Sequence, residues 1–331
     1  MILRRQHRIL VQGMTGKQGT FWTRAMLDYG AAVVGGVNPR KAGTAHLGLP
    51  VYASAAEASG EAPFDVALMF IPPAMAKAAA FDACEAGARL LVCLTEHIPA
   101  HDVMEIMAAA RANGTRIVGP NTAGLVTPGE TFAGILPAFN ARVFRPGGVG
   151  VISRSGSLGT LLSLVLTQNG YGQSTVYGVG GDPIIGTTTR EALEILDADP
   201  RTEAVVICGE IGGSAEEDAA EYAAGMGKRV VAFVAGRASP PGKKMGHAGA
   251  IVSGGKGNYR SKRNALEAAG IAVADVPSDI PKLLSARPNA AARRNAGGEE
   301  RSMQVGTNRT RAQALRTPGD AHNAGIPFTT E

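Results

Sequence analysis

The stretch Arg8-Ile9-Leu10-Val11-Gln12-Gly13-Met14-Thr15-Gly16-Lys17-Gln18-Gly19 decides the fold. A short apolar run, Arg8–Gln12, stops at a glycine-rich turn, and Thr20–Asp28 then has helical spacing. Strand, small-residue turn and helix in that order form the opening unit of a doubly wound α/β sheet. Glycines let the backbone turn tightly and approach a ligand, and a helix N-terminus offers free N–H donors to an anion. The loop is not a Walker A motif, because no Gly-Lys-Ser/Thr follows, and its spacing is not GxGxxG. A purely structural βα turn accounts for the same residues, so the loop alone names no ligand.

Outward from this unit the pattern repeats. Ala32–Val37, Val66–Ile71 and Leu90–Leu94 read as strands, and the Ala-rich stretches Ala74–Ala86 and His101–Ala112 suit helices. Continuous apolar strands separated by helices predict a parallel sheet covered on both faces. The second strand runs into Asn38-Pro39-Arg40-Lys41 with no acid for a ribose diol, and basic residues there suit a ribose phosphate, as in CoA or NADP. A Pro/Gly-rich connection through Thr127-Pro128-Gly129, Leu136-Pro137 and Arg145-Pro146-Gly147-Gly148 predicts a domain boundary, with a first domain over 1–125 and a linker over 126–147. The α/β pattern restarts over 148–285. Strands are expected at Val149–Ser153, Ser174–Val179, Ala204–Cys208 and Val230–Val234, and helices at Ser157–Gln168, Thr188–Leu196, Ala215–Ala224 and Asn258–Ala269. From 286 to 331 the pattern stops and the composition predicts a disordered tail.

Composition narrows the classes. A chain of 331 residues, 45% apolar, suits two domains of ordinary size. It holds no apolar run long enough to cross a bilayer, and its first residues lead straight into a strand without a signal-peptide apolar region, which predicts a cytoplasmic protein. Cys84, Cys93 and Cys208 sit in apolar segments without a CxxC pair, as buried hydrophobes rather than metal ligands, and no metal site is expected. The net charge of +5 is concentrated at the end. Residues 285–331 carry seven Arg and four acids, leaving 26 basic against 24 acidic residues before them and no footprint for nucleic acid.

In the second region four segments follow strands and precede helices: Ser153-Arg154-Ser155-Gly156-Ser157, Gly180-Gly181-Asp182-Pro183, Gly209-Glu210-Ile211-Gly212-Gly213-Ser214 and Gly236-Arg237-Ala238-Ser239. Helix N-termini meeting at one sheet edge make an anion site without many lysines. His247, in Lys244-Met245-Gly246-His247-Ala248-Gly249, is flanked by small residues that would shield its ring little, a context that suits a nucleophile. A buried Glu210 would accept one ring N–H and leave the other nitrogen free to attack.

The strings VQGMTGKQGTF, VVGGVNPRKAGTAHLGLPVY, IVGPNTAGLVTPGE, VGVISRSGSL, YGQSTVYGVGGDPI, TEAVVICGEIGGSAEE and GKKMGHAGAIVSGGKG occur in order from Arg8 onward, and the resemblance they carry extends to Leu284. Together they resemble the alpha subunit of succinyl-CoA synthetase, a family with malate- and citrate-activating relatives. The resemblance implies a Rossmann-like CoA-binding domain followed by a flavodoxin-like ligase domain. It implies that Thr15, Gly16, Lys17 and Gln18 hold CoA phosphates with help from Lys41, and that Leu94, Thr95, Glu96 and Asn121 line the CoA site. It makes His247 the phosphorylated residue, oriented by Glu210, with Ser155, Gly156, Ser157 and Thr160 toward phosphate and acid. It also implies a beta subunit of ATP-grasp fold that binds ATP or GTP and Mg²⁺.

Three motifs depart from the family pattern. SRSGTLTYE reads Ser153-Arg154-Ser155-Gly156-Ser157-Leu158-Gly159-Thr160-Leu161 here, so Thr160 and Leu161 stand where the family has tyrosine and glutamate. PNCPG reads Pro120-Asn121-Thr122-Ala123-Gly124, and TEGIP reads Thr95-Glu96-His97-Ile98-Pro99. A smaller, less polar wall near the acid suits a carboxylic acid other than succinate. Two other classes compete with a ligase: a CoA-binding subunit without catalysis, which phosphorylation of His247 would exclude, and an NADP-dependent oxidoreductase, for which the first loop has no acid–base pair.

Overall fold

Strand β1 (Ile9–Gln12) runs through the middle of a seven-stranded sheet. The computed structural model describes residues 1–239, 246–250, 252 and 257–286. On one side of β1 lie β2 (Val33–Val37), β4 (Leu49–Tyr52) and the short edge strand β3 (Ala45–His46), and on the other β5 (Val66–Met69), β6 (Leu90–Cys93) and β7 (Arg116–Val118). All pairs are parallel except β3 with β4. Counting the six parallel strands along the chain, the order is 3-2-1-4-5-6, the Rossmann order. The connections include α1 (Lys17–Asp28), α2 (Ala55–Glu61), α3 (Pro73–Glu85) and α4 (Ala100–Ala112).

The alternation of side chains along a strand explains why these strands read as unbroken apolar runs. In β5, Val66 and Leu68 face the core that also holds Met26 of α1, whereas Ala67 and Met69 face Ala76 and Ala80 of α3 and Val103 and Ile106 of α4. Each face is covered, and each fully buried Val, Leu or Met contributes roughly 1.5–3 kcal/mol.

The second sheet contains β8 (Gly124–Thr127), β9 (Thr131–Gly134), β10 (Pro146–Ser153), β11 (Gln173–Gly178), β12 (Ala204–Glu210), β13 (Arg229–Ala235) and β14 (Ala272–Ala274), in the order β14-β13-β12-β10-β11-β8-β9. Its five parallel strands follow the flavodoxin order 2-1-3-4-5, with helices α5 (Gly156–Gln168), α6 (Thr189–Asp197), α7 (Ala215–Ala223), α8 (Tyr259–Ala268) and α9 (Ile280–Ser285). The expected elements are present with ends shifted by a few residues, and the three cysteines are buried without disulfides.

One expectation is corrected. The segment 126–147 is not a plain connection, because Gly124–Thr127 and Thr131–Gly134 form an antiparallel hairpin that pairs with β11 and extends the sheet to its edge. The hairpin is held from outside its own sequence. Phe132 packs edge-on against Trp22 and Tyr29 of the α1 region, and the Thr127 hydroxyl donates to Leu3 O at 2.6 Å. Glycines at 124 and 134 let the two strands close, since a Cβ on Gly124 would stand 2.1 Å from Ala133 O. From residue 287 onward, the expected tail lies outside the described residues.

Candidate active site

In an open parallel sheet, ligands bind beyond the carboxyl ends of the strands where the order reverses. In the second sheet that point lies between β10 and β12. Glu210 is the last residue of β12, and Ser153-Arg154-Ser155 leads from β10 into α5. Glu210 is only 7% exposed. Its Oε2 lies 2.7 Å from Nδ1 of His247, and its Oε1 faces Nε of Arg154 at 3.4 Å. Among the described residues neither Arg154 Nε nor Glu210 Oε1 has a hydrogen-bond partner, so the Arg154 contact is an ion pair with poor bonding angles.

A carboxylate at 2.7 Å assigns the proton to Nδ1 and leaves the Nε2 lone pair free. The Glu210 hydrogen bond raises the His247 pKa above the ordinary imidazole value. Burial and Arg154 oppose it, and the charges of Glu210 and Asp182 add to it. The imidazole face rests on Gly181, where a Cβ would stand 2.7 to 2.9 Å from Cγ, Nδ1 and Cδ2. A Cβ at Gly249 would meet an Arg154 guanidinium nitrogen at 2.5 Å, so the Arg154 tip would have to shift to make room for it.

His247 borders a recess of about 240 Å³ with Ser155, Leu158, Glu210, Ile211 and Gly236. Ser155 caps α5, its hydroxyl accepting from Leu158 N at 3.4 Å. The first N–H groups of the helix have no intrahelical acceptor, and the positive end of the dipole is at this terminus. An imidazole with a free nitrogen beside such a terminus suits a phosphoryl group.

The backbone of Glu210 is held from behind. Glu210 N donates to Oε1 of Glu216 at 3.1 Å, and Glu216 is ion-paired with the fully buried Lys262, which also reaches Glu217 at 2.9 Å and Gly213 O at 3.1 Å. Gly209 leaves room for Glu216, since a Cβ there would meet its side chain at 2.5 Å.

The first sheet presents its own edge. Gly16 caps α1 without a side-chain hydrogen bond, so the N–H groups at the start of the helix stay available, and Lys17 and Gln18 are exposed. Gly13 has φ +79° and abuts Phe70 O, where a Cβ would stand at 2.3 Å. Asn38 donates to the Thr15 hydroxyl at 2.6 Å while accepting from Arg40 N, which draws the turn bearing Lys41 to the same edge. Thr95 donates to Ile71 O at 2.7 Å and joins the loops after β5 and β6, with half-buried Leu94 and exposed Glu96 on either side. His97 holds φ +62°, a conformation glycine adopts freely.

Asn121 connects the two edges. Its N–H donates to Thr95 O at 2.9 Å, its carbonyl accepts from Gly181 N at 3.0 Å, and its side-chain amide donates to Asp182 Oδ1 at 3.0 Å. Gly181 O then accepts from Gly249 N at 3.2 Å. An unbroken chain of bonds therefore runs from the loop after β6 to the loop of His247. Arg154, Asp182, Glu216 and Lys262 are not among the site residues expected from the sequence. Arg154 and Asp182 lie inside quoted loops, but Lys262 sits on a polar helix with no signal of its own. Thr160 is expected toward substrate, yet its hydroxyl donates back to Gly156 O at 2.8 Å, so its polar atom is occupied within α5.

Residues 4–97 match the CoA binding domain family, and residues 152–272 match the CoA-ligase family. The chain is 49% identical over 287 residues, 87% of its length, to the succinate–CoA ligase [ADP-forming] subunit alpha of Methanothermobacter thermautotrophicus, 97% of which is covered. It is 44% identical over 288 residues, 86% of its length, to a subunit of the ADP-forming sulfoacetate-CoA ligase of Bilophila wadsworthia, 98% of which is covered. The fold of ATP citrate lyase from Methanosaeta concilii superposes with a TM-score of 0.77 at 22% identity, over 98% of this chain and 54% of that one. With two family domains in order and near-complete coverage of its relatives, the chain belongs to the succinate–CoA ligase alpha-subunit family of ADP-forming acid–CoA ligases.

Proposed function

We propose that this chain binds CoA on its first sheet and carries a phosphoryl group on His247, within a ligase for succinate or a related di- or tricarboxylic acid. The observation that carries the reading is the Glu210–His247 pair. A buried carboxylate holds Nδ1 at 2.7 Å, so the free Nε2 is directed by its partner rather than by chance.

In the acid-releasing direction, an oxygen of orthophosphate attacks the thioester carbonyl. The C–S bond breaks, CoA leaves as the thiol, and an acyl phosphate forms. Nε2 of His247 then attacks phosphorus, the P–O bond to the acyl oxygen breaks, and the carboxylate leaves. Nδ1 keeps its proton on Glu210, whose charge stabilises the cationic phosphoimidazole ring. A terminal oxygen of ADP or GDP finally attacks phosphorus and breaks the N–P bond. Donors at the α5 terminus and Ser155 offset the developing phosphoryl charge.

Thr15, Gly16, Lys17 and Gln18, with Lys41, hold the phosphates of CoA, and Leu94, Thr95, Glu96 and Asn121 lead its thiol end toward His247. Ser155, Gly156 and Ser157 receive phosphate. A beta subunit of ATP-grasp fold supplies the nucleotide and its Mg²⁺. Similar proteins are named for succinate and for sulfoacetate, both small acids with two anionic ends, which supports an acid of that kind. Among the described residues no helix is long and apolar enough to cross a membrane.

The test is acid-labile phosphate on the full chain, co-expressed with its beta partner and incubated with ATP and Mg²⁺, beside His247→Ala. Label that disappears in the variant is expected. An unlabelled chain with nucleotide bound on the partner would sink the reading and leave a CoA-binding subunit without catalysis.

A further inference from the structure

A separate cavity of about 650 Å³ lies at the amino ends of β6 and β7, the opposite edge of the first sheet from Thr15–Gln18. It is walled by the end of α4 and by the loop 185–188. Its lining combines three guanidinium groups with an apolar floor that includes Met107 and Ile117. Arg89 immediately precedes β6, Arg116 opens β7, and Arg111 sits in the last turn of α4. Arg89 reaches Asp65 only at 3.5 Å. Among the described residues, the side chains of Arg111 and Arg116 have no hydrogen bond or ion pair, so both are available to a ligand in the cavity. The one acid in the lining, Glu191, is already engaged: its Oε2 accepts from Thr188 N at 2.7 Å and from the Thr188 hydroxyl at 3.0 Å.

Arg89, Arg111 and Arg116 come from three elements and, beside the Met1 amino terminus in the same lining, gather positive charge around one concavity, which favours an anion there. The volume is that of a small-molecule site, and guanidinium forks match phosphate and carboxylate oxygens. We propose that this cavity binds a small, multiply charged anion, bearing phosphate or carboxylate groups, and that its occupancy acts on the His247 site.

The route is the loop from Asp182 to Thr188. At the cavity end, Gly186 N donates to Gly119 O at 2.9 Å and the Thr187 hydroxyl to Ile117 O at 2.5 Å. At the other end, Asp182 is held by Asn121, and Gly181 touches the His247 ring. Ile185 and Thr188 line both this cavity and a neighbouring one bounded by Arg154, Asp182 and Gly249. An anion that draws in Arg116 and the loop therefore acts on residues bonded to the catalytic edge. This coupling rests on the phosphohistidine reading, but the binding does not.

Binding is tested by calorimetric titration of the full chain with its partner, with pyrophosphate and separately with citrate. CoA is saturating and the background is His247→Ala, so no phosphoryl transfer contributes. Arg111→Gln/Arg116→Gln is expected to weaken the preferred anion by about tenfold or more for each guanidinium removed. Stronger binding of pyrophosphate or of citrate supports the site and identifies the source of the charge. Equal isotherms for the double variant and its parent would overturn the proposal. Unchanged CoA binding reports an intact fold, and Arg111→Gln alone, at an exposed helix end, repeats the test if the double variant fails that control. In the His247-containing protein, the preferred anion should change the rate of phosphate labelling, and the double variant should abolish that response. Binding with no change in rate would refute the coupling.

Discussion

Gly181→Ala is the most informative single change, because it adds one carbon at a place where the structure specifies the consequence. The new Cβ would stand 2.7 Å from Cγ of His247, 2.8 Å from Nδ1 and 2.9 Å from Cδ2, whereas ordinary contact begins at 3.4 Å. The crowded atoms are the root of the ring, so rotation about the Cβ–Cγ bond brings no relief and the whole imidazole must withdraw by about 0.7 Å. A retreat of that size is enough to lengthen the 2.7 Å bond to Glu210 toward the limit of hydrogen bonding. Displacements of about 1 Å can cost ~10²-fold in rate, so His247 phosphorylation should slow by roughly 10- to 100-fold. The assay is a rapid-quench time course of acid-labile phosphate, read beside the thermal transition and CoA affinity, both expected to stay near wild type. Its pH profile adds a second readout. The Glu210 hydrogen bond is the largest cause of the raised His247 pKa, so weakening it moves the acid limb of the profile to lower pH. Wild-type labelling kinetics with an unmoved acid limb would refute the claim that Gly181 shapes the nucleophile.

Three further outcomes are expected. Glu210→Gln removes the main cause of the raised His247 pKa. Protonated imidazole cannot attack, so the acid limb of labelling should fall toward the ordinary value as the maximal rate drops. By linkage, the stability that the wild-type charged pair contributes is full below the unfolded value of 6.5 and is lost as pH rises through the raised value, and this dependence should flatten in the variant, as chemical denaturation across that window would show. Lys17→Ala should weaken CoA about tenfold by equilibrium dialysis, with the gap closing as salt rises, while labelling from ATP proceeds unchanged; equal affinity at low salt would remove Lys17 from the phosphate cradle. Lys262→Met strands the buried Glu216 carboxylate and should cost about 3–5 kcal/mol in denaturant titration, much of it recovered by adding Glu216→Leu.

The sequence determined the fold class on its own, because it depends on local patterns, and it marked the turns that carry Thr15–Gln18, Glu210 and His247. Val66–Ile71 and Leu90–Leu94 are apolar throughout since parallel strands are covered on two faces, a property written into each strand separately. Gly13 and Gly19 beside Thr15–Gln18, and Gly181 against His247, mark places where a Cβ has no room, and a glycine is legible one residue at a time. What remained hidden depends on partners distant in the chain. The hairpin at 124–134 exists because Trp22, Tyr29 and Leu3 supply its packing and one hydrogen bond. Lys262 looks like a surface lysine on a polar helix until Glu216 and Glu217, more than forty residues away, surround it. Only the tertiary structure decided that Asn121 ties Thr95 to Gly181, and Gly181 to His247. Strand and turn preferences act over a few residues, whereas ion pairs, hydrogen bonds and shape exclusion act across space between segments that the chain order keeps apart.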